Sequence, residues 1–494
     1  MASRKPRRRV WPWWVAIAIV ATSAGVWILG DRYSESRPVP PTAEAPGPTS
    51  SATLRIPYSE ARPILEAFHD RLPPDLKTKT SSELESAWPD WVRRHDAEVR
   101  ARLERGDEDS LVNFWKYGTT FTSRPRATAQ DLAGTGGRSG AADVLLGRLD
   151  DLIVALASPG SNERLRFARH VLERRGIDPA TPAGREQARA YLVELNDRVI
   201  ADNARYRSAA QAAGQLTGDQ ARLSAFASVF SDRGLSSDTS LPIDFALDET
   251  LEAAKAKGYL AGGVRRIAII GPGLDFTDKA DGYDFYPQQT IQPFALVDSL
   301  LRLGLAAAAD VRVTTFDLSP RVNQHLAAAR ERAERGESYV VQLPLAMNDP
   351  AHQWEPGFIN YWRRCGDTIG AAAPAQSPPA GPTRVDVRAV AVRPAVVLAV
   401  TAHDLNVVLE RPASLTDDSR YDLIVATNVL VYYDAFEQAL ALQNISSMLG
   451  PGGFFVTNYA VSLSLPLEPT ASLVTTSYWD HQRNFDTLFW YKRR

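Results

Sequence analysis

The run Arg266-Ile267-Ala268-Ile269-Ile270 is short, apolar and β-branched, and it stops at Gly271-Pro272-Gly273. An apolar run bounded by a glycine turn reads as a strand buried on both faces. A second such run, residues 311–316 (VRVTTF), delivers Asp317 at its end. In an open parallel sheet ligands sit outside the carboxyl ends of the strands. A glycine turn on one strand and a carboxylate on its neighbour are therefore well placed to hold a nucleoside.

From residue 264 onward the pattern alternates strand and helix. Gln292 and Pro293 open a helix with Phe294, Val297, Leu300 and Leu301 on its buried side. Ser319 is placed to cap, and Pro320 to start, another that carries Val322, Leu326, Ala329 and Ala333. Strands are expected at 395–400, just before Asp404-Leu405-Asn406, and at 421–426 (YDLIVA), ending at Thr427-Asn428. Asp434 and Glu437 have the spacing of a capping box, and Gly450-Pro451-Gly452-Gly453 closes the helix they start. Residues 454–457 form the next strand, and 474–479 and 488–491 are expected to pair antiparallel at the sheet edge. Residues 339–390 read as an insertion, a lid with a disordered tip. These signals predict an α/β fold over 260–494, a Rossmann-like, mostly parallel sheet with helices on both faces.

Residues 58–259 show helical periodicity without strands, which predicts an all-α domain ahead of the sheet. One helix is expected over 81–105, with Leu84, Trp88, Trp91, His95, Val99 and Leu103 in register and Gly106 as its C-cap. Asp107, Glu108 and Asp109 read as solvated acids rather than a metal site. The glycine-rich stretch 133–140 lacks the Gly-Lys-Ser/Thr ending of a phosphate loop and reads as a connection.

The amino terminus bears on location. Arg4, Lys5, Arg7, Arg8 and Arg9 form a basic tail (1–9) before an uncharged run over 10–30, with Trp11, Trp13, Trp14 and Trp27 towards its ends. About 20 apolar residues cross the hydrocarbon layer, so a single transmembrane anchor is expected. A cleavable signal peptide, with small residues at Thr22-Ser23-Ala24, is the other reading. Residues 31–57 follow as a flexible linker rich in Pro, Ser, Thr and Ala. The net charge of -2 gives no basic footprint, so no nucleic-acid partner is expected. The single cysteine, Cys365, excludes a disulfide framework and a Cys-based zinc cluster, and no metal is expected.

Taken in order, IAIIGPG, TTFDLS, HDLN, YDLIVATNVLVYYD and MLGPGGFFVTN resemble a class I S-adenosylmethionine-dependent methyltransferase. The part from Asp404 to Gly453 is most similar to the chemotaxis-receptor methyltransferases. The resemblance implies S-adenosylmethionine as cofactor. Gly271 and Gly273 would let the backbone approach its methionine part, and Asp317 would accept from both ribose hydroxyls. Leu318 would flank adenine, with Asp404 at its exocyclic amine and Leu405 on its ring face. Asn428 and Val429 would line the pocket near the sulfonium, and Tyr432 would position the acceptor. Three departures stand out: Ile270 occupies the place of a frequent acid, for which Asp275 is the substitute candidate. Phe276 replaces the third glycine of a dinucleotide fingerprint, which disfavours NAD. Thr427 stands where the receptor enzymes tend to have arginine.

The expected function is thus membrane-anchored methyl transfer to an unidentified acceptor, with residues 281–289 as a lid or acceptor contact. A non-catalytic scaffold that keeps the nucleoside fold is the alternative, and an NAD-linked oxidoreductase a third reading. The basic tail would place the body of the chain outside the cytoplasm, whereas S-adenosylmethionine is a cytoplasmic cofactor, so the two expectations conflict.

Overall fold

Most of the strands foreseen after residue 264 assemble into one sheet. In a computed structural model, residues 52–126, 138–217, 219–277, 284–347, 352–377, 385–461, 467–480 and 482–493 are described. The expected basic tail and membrane anchor, most of the linker, and residues 281–283 of the expected lid lie outside them. No helix among the described residues is long and apolar enough to cross a membrane.

In chain order the strands are β1 (Thr53–Arg55), β2 (Arg266–Ile270), β3 (Arg312–Asp317), β4 (Tyr339–Met347), β5 (His352–Trp354), β6 (Gly370–Ala373), β7 (Val385–Val392), β8 (Val400–Asp404), β9 (Glu410–Pro412), β10 (Tyr421–Ala426), β11 (Leu449–Thr457), β12 (Leu467–Asp480) and β13 (Gln482–Arg493). The main sheet has the order β5-β12-β13-β11-β10-β2-β3-β8. Strands β8, β3, β2, β10 and β11 are parallel, while β13 runs antiparallel to both β11 and β12. A dinucleotide-binding sheet has six strands in the order 3-2-1-4-5-6. Here an antiparallel strand is inserted between the fifth and sixth, and the chain order reverses between β2 and β10. Ligands bind at such a reversal.

The helices are α1 (Tyr58–Ala67), α2 (Pro74–Lys77), α3 (Ser81–Tyr117), α4 (Arg138–Ala157), α5 (Glu163–Arg174), α6 (Pro182–Gly214), α7 (Asp219–Ala227), α8 (Pro242–Ala256), α9 (Gln292–Arg302), α10 (Pro320–Glu334), α11 (Pro356–Arg364), α12 (Pro394–Leu398) and α13 (Ala435–Met448). Alternate residues of β2 feed two cores. Ile267 and Ile269 pack with α8, α9 and α10, whereas Ala268 and Ile270 pack with α1, α13 and the first half of α3. The sheet is therefore covered on both faces, and some of the covering helices come from residues 58–259.

Helix α3 differs most from expectation. Thr80 and Glu83 form a capping box at its start, and the helix continues through Gly106 for 37 residues. Gly106 does not cap it. A Cβ there would lie 1.8 Å from the Leu235 carbonyl oxygen, so glycine admits a crossing backbone in mid-helix. Beyond that crossing, Leu111, Phe114 and Trp115 pack with Leu149, Leu152, Leu165 and Leu172 in a separate helical core. The acids expected to be solvated bridge helices instead. Arg174 Nη2 pairs with Asp107 at 2.7 Å, Arg175 Nη2 with Glu108 at 2.6 Å and Arg198 Nη2 with Asp109 at 2.7 Å.

Smaller differences from expectation follow. The strand expected at 395–400 is a short helix begun by Pro394, and the strand starts at Val400, which makes Asp404 its last residue. Residues 53–55, placed in the linker, pair antiparallel with β9. The runs 474–479 and 488–491 lie in the antiparallel β12–β13 hairpin but do not face each other: 474–479 opposes 483–487 and 488–491 opposes 469–473, while β13 lies inside the sheet and β5 takes the edge. The insertion is ordered over much of its length: β4, β7 and β6 form a small antiparallel sheet, and residues 378–384 at its tip lie outside the described residues.

Candidate functional site

The carboxyl rim is built first by the glycine turn. Gly271 and Gly273 have φ of 67° and 65°, a region costly for residues with a Cβ. A Cβ on Gly271 would come within 2.6 Å of Val429 Cγ2, so the turn after β2 touches the tip of β10. Asn428 itself has φ of 60°, and it is pinned by paired amide bonds with Asn458 at 2.8 and 2.7 Å. The Gly271 N–H donates to the Phe316 carbonyl at 2.8 Å, which straps the turn to the end of β3. Asp275 does not take the place of the missing acid. Its carboxylate accepts from Tyr286 Oη at 2.6 Å and Gln289 Nε2 at 3.0 Å, and so fixes the following loop.

Asp317 and Asp404 end adjacent parallel strands in register with each other. Asp317 is 9% exposed and accepts from the Ser319 N–H at 2.8 Å, with the Gly273 N–H on the same side of the rim acting on its charge. Burial pushes its pKa up to about 6, against the lowering effect of those two N–H groups and of Arg321, while Asp404 adds to the rise. Asp404 keeps more than half of its side chain exposed, and Arg100 Nη1 of α3 holds both its oxygens at 2.8 and 3.0 Å. Leu405 is buried in the core beside Phe316 and Val408, whereas Leu318 is half-buried against that core.

Near the tip of β10, Tyr432 is half-buried and its carbonyl accepts from Arg102 Nη2 at 2.6 Å. Tyr433 is the buried neighbour, with the Arg102 guanidinium 5.7 Å from its ring centre. Burial raises its hydroxyl pKa, and the charges of Glu437 and Asp317 add to the rise. Tyr433, one of the pocket-side candidates that the sequence offers beside the preferred Tyr432, is thus a phenol on which the Asp317 charge acts.

The helical layer supplies a cover that sequence reasoning missed. The strap 237–239 bonds to the glycine turn through Leu274 N–H to Ser237 O at 2.8 Å and Thr239 N–H to Leu274 O at 2.9 Å. Arg321 Nη2 donates to Ser237 Oγ at 2.7 Å, and its guanidinium sits 3.9 Å from the Phe167 ring centre. Buried Arg164 donates to the carbonyls of Asp275, Phe276 and Tyr286. Asp284 takes the Thr119 N–H and hydroxyl, and Glu163 takes the Gln288 N–H at 2.9 Å. The described part of the expected lid, residues 284–289, is therefore tied to the helices. These partners lie more than 100 residues apart in sequence, where no local pattern links them. The one available signal was arginine at core positions of α4 and α5, Arg148 and Arg164. Among the described residues no group of three or more His, Cys, Asp or Glu could hold a metal ion.

No protein-family profile matches the chain, and no curated protein does. Solved structures that align with it include the N-methyltransferase NodS from Bradyrhizobium japonicum WM9 in complex with S-adenosyl-L-homocysteine, at 13% identity, 50% of this chain, 87% of that one and a TM-score of 0.24. Magnesium protoporphyrin IX methyltransferase (ChlM) from Synechocystis PCC 6803 with bound SAM aligns at 9% identity over 51% of this chain and 81% of that one, with a TM-score of 0.24. TrmN from Thermus thermophilus aligns at 12% over 51% of this chain and 52% of that one, again with a TM-score of 0.24. At such identities and scores the alignments carry no argument about activity. The Rossmann-like character of the sheet rests on its own strand order and register.

Proposed function

We propose that the chain is an S-adenosylmethionine-dependent methyltransferase. The observation that carries this reading is the bond from the Gly271 N–H to the Phe316 carbonyl at 2.8 Å, which puts the glycine turn and the acid that follows Phe316 on one rim beside the β2/β10 reversal. Asp317 receives the ribose hydroxyls, Gly271 and Gly273 the methionine part, Asp404, Leu318 and Leu405 the adenine, and Asn428 and Val429 the sulfonium side. A buried orphan fits the cofactor's ammonium. Gln292 is 1% exposed, its Nε2 donates to Thr427 Oγ1 at 2.9 Å, and its Oε1 has no partner among the described residues. That oxygen offers the acceptor that Ile270 cannot.

When bound, the cofactor supplies an electrophilic methyl group on sulfur. The chain's own task is to align a nucleophile with it and exclude water. The half-buried Tyr432 positions the acceptor, and the loop 284–289, held by Arg164 and Thr119, supports the wall nearby. Calorimetry of the full-length chain tests the reading, with binding of S-adenosylmethionine and none of NAD as the expected result. Failure of both to bind favours the alternative, a scaffold without turnover, which Arg100's hold on Asp404 and the apolar Ile270 support.

The membrane anchor over 10–30 is part of the same proposal and rests on sequence alone. A reporter fused after Arg494, assayed on each side of the membrane, decides between the basic tail and the cofactor as guides to topology. A body exposed outside the cytoplasm would count against methyl transfer.

A further inference from the structure

The β12–β13 hairpin is longer than the sheet beneath it. Thr457, the last residue of β11, pairs with Phe489, so the part of β13 before Phe489 projects past the carboxyl rim. Asp486 lies three residues beyond, about 10 Å above the rim at roughly 3.3 Å per residue. Its side chain shares a face with Leu488 and Trp490, which belong to the core beneath α8, while Val474 on the opposite face of the hairpin is solvent-exposed.

Asp486 is 8% exposed and makes no hydrogen bond or ion pair among the described residues. Thr475, directly opposite in register, is buried as well. Ser477, displaced by a bulge between Thr476 and Tyr478, is fully buried with its hydroxyl unpartnered. Trp490 Nε1, bonded to Thr250 Oγ1 at 2.7 Å, fixes α8 to this hairpin below them, and the Glu355 N–H, bonded to Ser477 O at 2.9 Å, fixes the entry to α11. Several other buried acids are paired: Asp248 with Arg302 and Arg364, Asp284 with Thr119, Asp298 with Thr368, whereas Asp244 Oδ1, within α8, has no partner among the described residues. A buried carboxylate without a partner is costly unless protonated or joined by a cation.

We infer that Asp486 anchors a protonated amine on the molecule received above this rim, with Thr475 and Ser477 supplying hydroxyls beside it. The acceptor class is then a cationic amine. Calling that molecule the methyl acceptor rests on the methyltransferase reading; the amine site itself does not. Burial pushes the Asp486 pKa up to about 6, with no contribution from a charged group among the described residues. Above pH 6 the carboxylate is therefore ionised, without a partner among the described residues.

Melting of the full-length chain tests this, with n-propylammonium chloride as cationic probe and n-propanol plus sodium chloride as its uncharged match. At pH 8 propylammonium is expected to raise the Tm of the wild type by several degrees more than propanol, and at pH 4.5 the two should act alike. Asp486→Asn, which removes the unpaired charge at constant shape, is expected to melt above the wild type at pH 8 and to lose the difference between the probes. Equal effects of the two probes on the wild type at pH 8 overturn the inference. So does an Asp486→Asn chain that melts lower or fails to fold, because the carboxylate would then have a partner within the protein. Calorimetry of the wild type with S-adenosylmethionine separates the two readings: an amine effect without cofactor binding keeps the amine site and removes the methyltransferase.

Discussion

The tips of β3 and β8 carry the same residue type in matched register, yet the two acids live in different surroundings. Asp317 is buried, accepts from the Ser319 N–H at 2.8 Å, and has its pKa pushed up to about 6 by that burial. Asp404 stays largely in water and is held by a guanidinium from α3. The first acid is held by an N–H two residues further on, whereas the second is met by a helix some 300 residues upstream. The difference assigns the two acids separate work: a desolvated carboxylate short of donors suits ribose hydroxyls, and an exposed, already paired one suits a weaker contact at the adenine edge.

The largest expected effect breaks the comparison at Asp317. Asp317→Asn removes the charged acceptor for two hydroxyls at roughly 3 kcal/mol in total, so affinity for S-adenosylmethionine should fall about 100-fold by calorimetry. The same change should stabilise the ligand-free protein. Because the folded-state pKa lies above the ordinary 3.8, the native state binds the proton more tightly, and stability is lost as pH rises from about 4 to 6. Removing the charge should recover up to roughly 3 kcal/mol at pH 8 and nothing below about pH 4, read as Tm across pH. A variant that loses both binding and stability would mean that the carboxylate has a structural partner.

Next in size is Gly106→Ala, which sharpens the comparison at the point where α3 crosses the strap's lead-in. The added Cβ meets the Leu235 carbonyl, so a loss of roughly 2 kcal/mol in denaturant unfolding is expected, whereas an ordinary helical Gly→Ala change would stabilise. An unchanged or raised midpoint would show that the crossing gives way cheaply.

Acidification acts on Asp317 without mutation. The ribose hydroxyls need the ionised form, so the dissociation constant for S-adenosylmethionine should be flat above pH 7 and about tenfold higher at pH 5. The smallest effect belongs to Arg100→Ala, which frees Asp404 for the adenine amine. Stability should fall by less than about 1 kcal/mol, as for a solvent-exposed pair, and cofactor affinity should rise a few-fold. Unaltered affinity would take Asp404 out of the adenine site.

Local patterns were read from the sequence where local physics decides. The apolar run of β2, the turn at Gly271 and Gly273, the start of α9 at Pro293 and the Asp434/Glu437 capping box all fell where spacing put them. Errors arose where a distant segment intervened. Gly106 looked like a helix end because glycine usually is one; here it marks a close crossing inside a 37-residue helix. Asp107, Glu108 and Asp109 looked solvated because their arginine partners come from α5, α6 and the end of α5, invisible to any local window. Tyr433 was passed over for Tyr432, since neither periodicity nor motif says which of two adjacent phenols turns inward.

The sequence by itself determined which residues end each strand and which backbones can turn there, since those properties follow from side-chain shape and period within a few residues. Only the tertiary structure decided which acid is buried, which helix covers which face, and that an antiparallel strand enters the sheet beside β11. Each of those outcomes depends on surface removed from water by segments far away in the chain, and burial has no local signature until the chain has closed on itself.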